Sequence, residues 1–265
     1  MLGRSCAALA SLALAFGTLA APASASASVR AHTTARAAAI GPMIRAGHGT
    51  PPMIAHGGSR NSVESSNWSG YAANGSKYSS VSANWTQPTA KCSSGTQYAA
   101  FWVGLDGYSS DSVEQTGSDS DCDAGSPDYY GWYEMYPADP VYYNNPVSPG
   151  DSMSASVTVS GDAYTLVLTD HTRDWTQTQH ITESGLSDSS AEAIVEAPCC
   201  TASGGPLPLA DFGTIPFSSV TVDGSPISDS NPTEIIMVDN QGRDKDTISS
   251  STDGNSFTAT WVRKN

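Results

Sequence analysis

Residues 153–169 read MSASVTVSGDAYTLVLT, and this stretch decides the fold class. Its first half places apolar residues at every second position between Ser and Thr, which is the pattern of a half-buried β-strand. Turn residues at 160–162 then lead into a second run of the same kind. The stretch therefore predicts an antiparallel β-hairpin.

Other segments repeat this pattern. Alternation at 81–85 and 257–261 predicts two more strands, and the short apolar run at 235–238 predicts a third. The segment 98–105 is apolar on both faces, which indicates a central strand covered on both sides. Residues 188–193 could begin a helix by propensity, although the apolar run and Pro198 that follow favour a strand. Together these patterns predict an all-β protein, an antiparallel sandwich.

The N-terminal region differs from the rest of the chain in charge. Residues 1–27 have the basic start, short apolar run and small-residue cleavage site of a signal peptide, so we expect a secreted, extracellular protein. Residues 28–62 are predicted to be a basic pro-segment or, alternatively, a disordered linker. All 26 acidic residues follow position 60, and with seven Lys and Arg they give residues 61–265 a formal net charge of −19. Residues 63–265 are expected to be the catalytic β-sandwich domain.

Composition also limits the function. The acidic balance argues against nucleic acid or an anionic membrane as a partner. Four cysteines remain after signal removal, and the simplest pairing joins Cys92 and Cys122 each to one of the adjacent Cys199 and Cys200. No spacing indicates a zinc site, so no metal or cofactor is expected, and the two histidines of the mature region make a Ser-His-Asp triad a poor candidate.

Two separated segments carry the candidate chemistry. Gln115 supplies an uncharged amide, and Glu196 ends an apolar run where burial could tune its pKa. A carboxylate that takes a proton from water beside an amide that stabilises an oxyanion is sufficient for hydrolysis. Strand alternation puts Tyr130, Trp132, Glu134 and Tyr136 on one face. That face either lines a ligand cleft or is the half-exposed outside of a sandwich.

Six short motifs follow one another along the chain. They are Asn67-Trp68-Ser69-Gly70, the segment 101–107, Gln115-Thr116-Gly117, the segment 132–137, the segment 191–196 and Ala210-Asp211-Phe212-Gly213. In this order they resemble the glutamic peptidases, or eqolisins, and the resemblance runs from about residue 64 to the C-terminus.

This resemblance implies two large antiparallel sheets, a concanavalin-like sandwich, and an acid endopeptidase that is monomeric and needs no cofactor. It implies that Gln115 and Glu196 form the catalytic dyad. The residues implied to bind substrate are Trp68, Trp102, Asp106, Asp119, Trp132, Glu134 and Tyr136; both Asp residues lie in Gly/Ser-rich stretches that otherwise indicate turns. The chain departs from the family pattern at Met135, Ala193 and Ala197, which puts the primed-side pocket and the pH optimum in question.

Two other functions fit the same residues. An aromatic groove with carboxylates at Glu134 and Glu196 would also suit a glycosidase. The fold could instead serve as a non-catalytic extracellular binding module. The neighbour of Glu196 discriminates between the enzymes, because the peptidase needs Gln115 there and the glycosidase needs a second carboxyl group.

Overall fold

The computed structural model describes residue 43, residues 62–199 and residues 205–265. The predicted signal peptide and all of the predicted pro-segment except Met43 and Ser62 therefore lie outside the described residues, and the domain boundaries stay predictions. Among the described residues, no helix has the length and hydrophobicity that crossing a membrane requires. Their one helix is a short 3₁₀ turn, Ile227–Ser230.

Two eight-stranded sheets form the domain. The first has the order β1-β14-β2-β11-β4-β5-β6-β7. Its strands are β1 (Ser62–Ser65), β2 (Trp68–Asn74), β4 (Ala100–Leu105), β5 (Val113–Asp123), β6 (Ser126–Tyr136), β7 (Val141–Tyr142), β11 (Ser190–Glu196) and β14 (Thr233–Met237). All neighbours are antiparallel except β1 and β14 at one edge, which pair in parallel.

The second sheet has the order β10-β9-β8-β3-β12-β16-β15, with β13 paired to β12. Its strands are β3 (Ser80–Thr86), β8 (Ser152–Ser160), β9 (Ala163–Asp170), β10 (Trp175–Thr182), β12 (Thr214–Val222), β13 (Ser225–Pro226), β15 (Asp246–Ser250) and β16 (Phe257–Trp261). The predicted hairpin is the β8–β9 pair, in which Ser160 lies opposite Ala163. The all-β sandwich of two large antiparallel sheets is confirmed.

Strand alternation separates the first sheet into an inner and an outer face. Inner residues such as Phe101, Val103 and Val195 join the second sheet in the main core. A smaller apolar cluster, which we call the outer-face cluster, lies on the opposite side. Its members are Trp68, Ala72, Ala100, Trp102, Val113, Tyr130, Trp132, Ile194 and Ile235.

The structure resolves or corrects three details that were predicted from the sequence. The segment 188–193 enters strand β11 and not a helix, because that strand pairs on both sides, with β2 and with β4. The simplest cysteine pairing is wrong, because Cys92 is bonded to Cys122 and their Cα atoms are 5.4 Å apart. Asp119 lies within the long strand β5 and not in a loop, since both edges of that strand are paired.

Candidate active site

Cross-strand pairs on the outer face of the first sheet bring the predicted site residues into rows. Between β5 and β6, Gln115 lies opposite Glu134, Gly117 opposite Trp132 and Asp119 opposite Tyr130. On the other side, Gly117 lies opposite Trp102 of β4. Because side chains at alternate positions of a strand point to one face, these rows place the aromatic rings and carboxyl groups together.

Glu196 ends β11 on this face and is completely buried. Its carboxylate accepts hydrogen bonds from the Trp102 indole N–H at 2.9 Å and from the Asn67 amide at 3.2 Å. Burial raises the pKa of Glu196 well above its ordinary value, and the nearby Glu134 carboxyl raises it further. The donors Trp102, Trp68 and Asn67 act in the opposite direction. In this enclosed state the Glu196 carboxyl group keeps its proton at acid pH.

Gln115 and Glu134 form a hydrogen-bonded pair beside it. The Gln115 amide donates to Glu134 Oε2 at 2.8 Å, so the structure gives Gln115 a bond to Glu134 and not to Glu196. Burial raises the pKa of Glu134 to about 9, which makes it a neutral acid over the whole acidic range. Glu134 therefore holds the amide of Gln115 on the face that also carries Glu196.

Two tryptophans surround the Glu196 carboxylate. The rings of Trp68 and Trp102 meet edge to face, with centroids 4.8 Å apart. The Trp68 indole N–H is close enough to Glu196 to lower its pKa, although it does not meet the geometry of a full hydrogen bond with any described residue. Such broad apolar surfaces suit an extended ligand and exclude water from the carboxylate.

Asp119 accepts a hydrogen bond from a third tryptophan of the outer face, Trp132. It accepts the Trp132 indole N–H at 2.5 Å, and the Tyr130 hydroxyl lies 3.1 Å from its second oxygen. Tyr136, at the end of β6, is partly buried and packs against the outer-face cluster. These predicted residues therefore lie together with Gln115 and Glu196.

Asp106 lies apart from them and anchors a loop. Its carboxylate accepts hydrogen bonds from the backbone N–H groups of Ser187, Asp188 and Ser189 at 3.0, 2.7 and 2.8 Å. Within the described part of the chain, Asp106, Glu114 and Asp188 are also the carboxylates close enough together to hold a cation, with ligand atoms within 4.8 Å. The donors already occupy the oxygens of Asp106, so the structure favours the loop-anchoring role.

Three residues of this region belong to the sequence motifs but had no role of their own assigned to them. Asn67 donates to Glu196, and its only sequence signal is its place before Trp68 in the first motif. Glu192 lies on the same face as Glu196, where burial raises its pKa well above the ordinary value. Gly117 leaves room for Trp102, because a Cβ there would lie 2.6 Å from the Cβ of that residue.

The departures from the family pattern fall mostly outside the outer face. Met135, Ala193 and Ala197 all belong to the main core between the sheets. Ala193 lies opposite Tyr71 on one side and Val103 on the other, both of them core residues. These substitutions therefore alter the packing between the sheets and leave the outer-face cluster itself unchanged.

A separate cavity of about 230 Å³ lies near the other flank of the sandwich. Its lining includes Tyr71, Ile227, Glu234 and Phe257, and none of the predicted site residues. Its lining consists mainly of serines and apolar side chains and contains one carboxylate, Glu234, which accepts a hydrogen bond from Tyr71 at 2.7 Å. The hydrogen-bonded carboxyl and amide groups lie on the outer face, so we place the candidate active site there.

Solved structures of peptidases resemble this fold along nearly their whole length. Scytalido-glutamic peptidase with a transition state analog inhibitor has a TM-score of 0.66 and 28% identity, covering 74% of this chain and 98% of that one. SCP-B, a member of the eqolisin family in complex with the tripeptide Ala-Ile-His, has a TM-score of 0.62 and 28% identity over the same shares. Aspergilloglutamic peptidase from Aspergillus niger has a TM-score of 0.54 and 28% identity, covering 63% of this chain and 99% of that one.

Sequence comparison agrees with the structural likeness. No curated protein matches the chain. The sequence model of the Peptidase A4 family matches residues 66–261, which include every strand of the first sheet except β1. The chain therefore belongs to the Peptidase A4 family, and it is a glutamic-type peptidase.

Proposed function

We propose that this protein is a secreted acid endopeptidase in which Glu196 and Gln115 are the catalytic dyad. The observation that carries the proposal is the arrangement on the outer face. The buried carboxyl group of Glu196 accepts hydrogen bonds from two N–H donors, and the carboxyl group of Glu134 on the same face holds the amide of Gln115. Membership in a peptidase family favours peptide bonds as the substrate over glycans or mere binding.

The proposed mechanism assigns one role to each member of the dyad. Ionised Glu196 takes a proton from a water molecule that attacks the peptide carbonyl, and later returns it to the leaving amine. The side-chain amide of Gln115 donates to the oxyanion of the tetrahedral intermediate. Glu134, as a neutral acid, keeps that amide in place without adding a second negative charge beside Glu196.

Substitution of the dyad tests this assignment. Glu196→Gln and Gln115→Ala should each lower kcat on denatured casein at acid pH by at least about 100-fold, the usual contribution of a general base or an oxyanion donor. The exposed residues Glu183 and Gln241 provide matched controls, since Glu183→Gln and Gln241→Ala should keep full turnover. Wild-type turnover in a folded Glu196→Gln or Gln115→Ala variant would contradict the assignment of the dyad. Hydrolysis of soluble β-glucan by the wild-type protein would favour a glycosidase.

We further propose that residues 28–62 are a pro-segment that covers the active site. Met43 supports this proposal, because its backbone N–H donates to the Gly107 carbonyl at 3.3 Å and its side chain packs against the outer-face cluster. The basic charge of the segment is complementary to the net charge of −19 that follows it. Removal of such a cover would hydrate Glu196 and lower its pKa, which would allow it to ionise.

Acid-induced processing tests the pro-segment. The chain that begins at residue 28 should be inactive when purified at neutral pH and should acquire a new N-terminus near residues 60–65 after a shift to acid. N-terminal sequencing over time should show this cut rising together with casein hydrolysis. The Glu196→Gln variant should stay uncut under the same conditions. A fully active protein that retains residues 28–62 would contradict the proposal.

A further inference from the structure

A second pair of carboxyl groups lies at one end of the outer-face cluster. Asp119 and Asp121 are two positions apart in β5, so they share a face, and each is 2% exposed. The Tyr130 hydroxyl oxygen lies between them, 3.1 Å from Asp119 Oδ2 and 2.5 Å from Asp121 Oδ2. Asp121 has no part in the proposed dyad and was not among the residues that the sequence singled out.

The number of protons that Asp119, Asp121 and Tyr130 hold together decides whether both short contacts are hydrogen bonds. A phenol carries a single hydrogen, so it can donate to only one of the two carboxyl groups. If both carboxyl groups were ionised, the Tyr130 hydroxyl could donate to one of them only. The second carboxylate oxygen would then face a lone pair of the phenol oxygen in a buried site, which is repulsive. Both contacts become hydrogen bonds when the pair of carboxyl groups holds one additional proton. Burial and the proximity of Asp119 raise the pKa of Asp121 well above its ordinary value, which favours Asp121 as the group that keeps it.

The shared proton connects Asp121 to the cleft. With Asp121 protonated, the Tyr130 hydroxyl is free to donate to Asp119, whose other oxygen accepts the Trp132 indole N–H at 2.5 Å. Trp132 is completely buried in the outer-face cluster. The contacts therefore run from Asp121 through Tyr130 and Asp119 to a ring that forms part of the proposed substrate surface.

The surroundings make this proton sensitive to pH. Among the described residues, the groups that act on Asp121 or on its Tyr130 partner are acidic or phenolic and come from several neighbouring segments. They are Tyr98 before β4, Asp119 in β5, Asp128 in β6 and Tyr142 in β7. When the shared proton leaves, two carboxylates 3.1 and 2.5 Å from one phenol oxygen repel each other.

We propose that Asp121 is a positioning residue for the peptidase reaction, sharing one proton with Asp119 through Tyr130 and thereby holding the Trp132 ring in the substrate surface. The proposal rests on the proposed function, because it takes the outer face to be the substrate surface. Asp121 acts through other side chains and touches no substrate. Its loss should therefore change KM more than kcat.

The test compares Asp121→Asn with wild type across pH. An asparagine amide donates to the phenol at every pH, so the link to Trp132 no longer titrates. From acid to neutral pH, the KM of wild type for a casein peptide should rise by on the order of tenfold, the loss expected when a hydrogen bond to a charged group is broken. The KM of Asp121→Asn should stay nearly constant, and Asp121→Ala should have the high KM throughout. Asp123→Asn, an exposed neighbour in the same strand, should behave as wild type.

A second readout keeps the proposal testable without turnover. The fluorescence of Trp132, obtained by subtracting the spectrum of Trp132→Phe, should titrate in wild type and be independent of pH in Asp121→Asn. Identical pH dependence of KM and of this fluorescence in wild type and Asp121→Asn would overturn the proposal. If no variant or wild type cleaves casein, the proposed function fails, and the fluorescence alone then decides the positioning role.

Discussion

Gly117 is a position on the outer face that leaves no room for a side chain. It lies between Trp102 and Trp132 in neighbouring strands. A Cβ at this position would lie 2.1 Å from the Phe101 carbonyl oxygen and 2.6 Å from Trp102 Cβ. Neither atom is the end of a flexible side chain, so the crowding can be relieved only by moving strand β4. Since Trp102 donates to Glu196, such a shift would reach the proposed base directly.

Gly117→Ala should therefore impair both stability and catalysis. We expect a loss of about 1–3 kcal/mol in the free energy of unfolding, as for other overpacked sites, together with a lower kcat. Gly150→Ala is the matched control, because it meets no atom within 4 Å but has a φ of +88°. That control should lose about 1 kcal/mol through backbone strain and keep its activity. Urea unfolding and casein hydrolysis measure the two effects, and a fully active, stable Gly117→Ala would refute the crowding argument.

The strands differ in how far their sequence predicts them. Strands β8 and β9 are evident because one face meets the core and the other meets water, which imposes a period of two. Strand β5 has no such pattern, since ten of its eleven residues are buried while most of them are polar. Pairing with β4 and β6 satisfies its backbone, and partners such as Glu134, Tyr130 and Trp132 satisfy its side chains. A local sequence pattern cannot predict such partners, because they lie on a different strand.

The candidate site was predictable to the extent that it depends on ordered motifs. Residue chemistry and then a resemblance pointed to Gln115 and Glu196, and the structure adds the hydrogen bonds that hold each of them, from Gln115 to Glu134 and from Trp102 and Asn67 to Glu196. Asn67 and Asp121 were missed because their roles depend on cross-strand geometry. Asp106 shows the opposite case: an Asp in a Gly/Ser-rich segment did have the turn-stabilising role that its composition indicated.

At the scale of the whole molecule, buried acids couple the stability of the sandwich to pH. Glu114 and Glu134 are at most 1% exposed, and burial raises the pKa of each to about 9. Their unfolded counterparts ionise near the ordinary value of 4.5. Between these two values the folded chain holds protons that the unfolded chain releases. Each group thus contributes stability that is complete below about pH 4.5 and is lost as the pH rises towards 9.

Because the folded state keeps these protons, the free energy of unfolding should fall from acid to neutral pH. The expected decrease is about 1.4 kcal/mol per pH unit for each such group. Glu114 is the better group to test, because Glu134 holds the amide of the proposed catalytic Gln115, whereas no hydrogen bond joins Glu114 to either member of the dyad. The amide of Glu114→Gln has nearly the same shape and does not titrate, so the free energy of unfolding in urea should fall less steeply between pH 5 and 8. The exposed Asp229→Asn, which does not act on Glu114, should keep the wild-type slope, and the Glu196→Gln background would prevent self-digestion during the measurement. If the free energy of unfolding depended on pH equally in Glu114→Gln and wild type, Glu114 would already be ionised in the folded protein. The prediction for Glu114 would then be wrong.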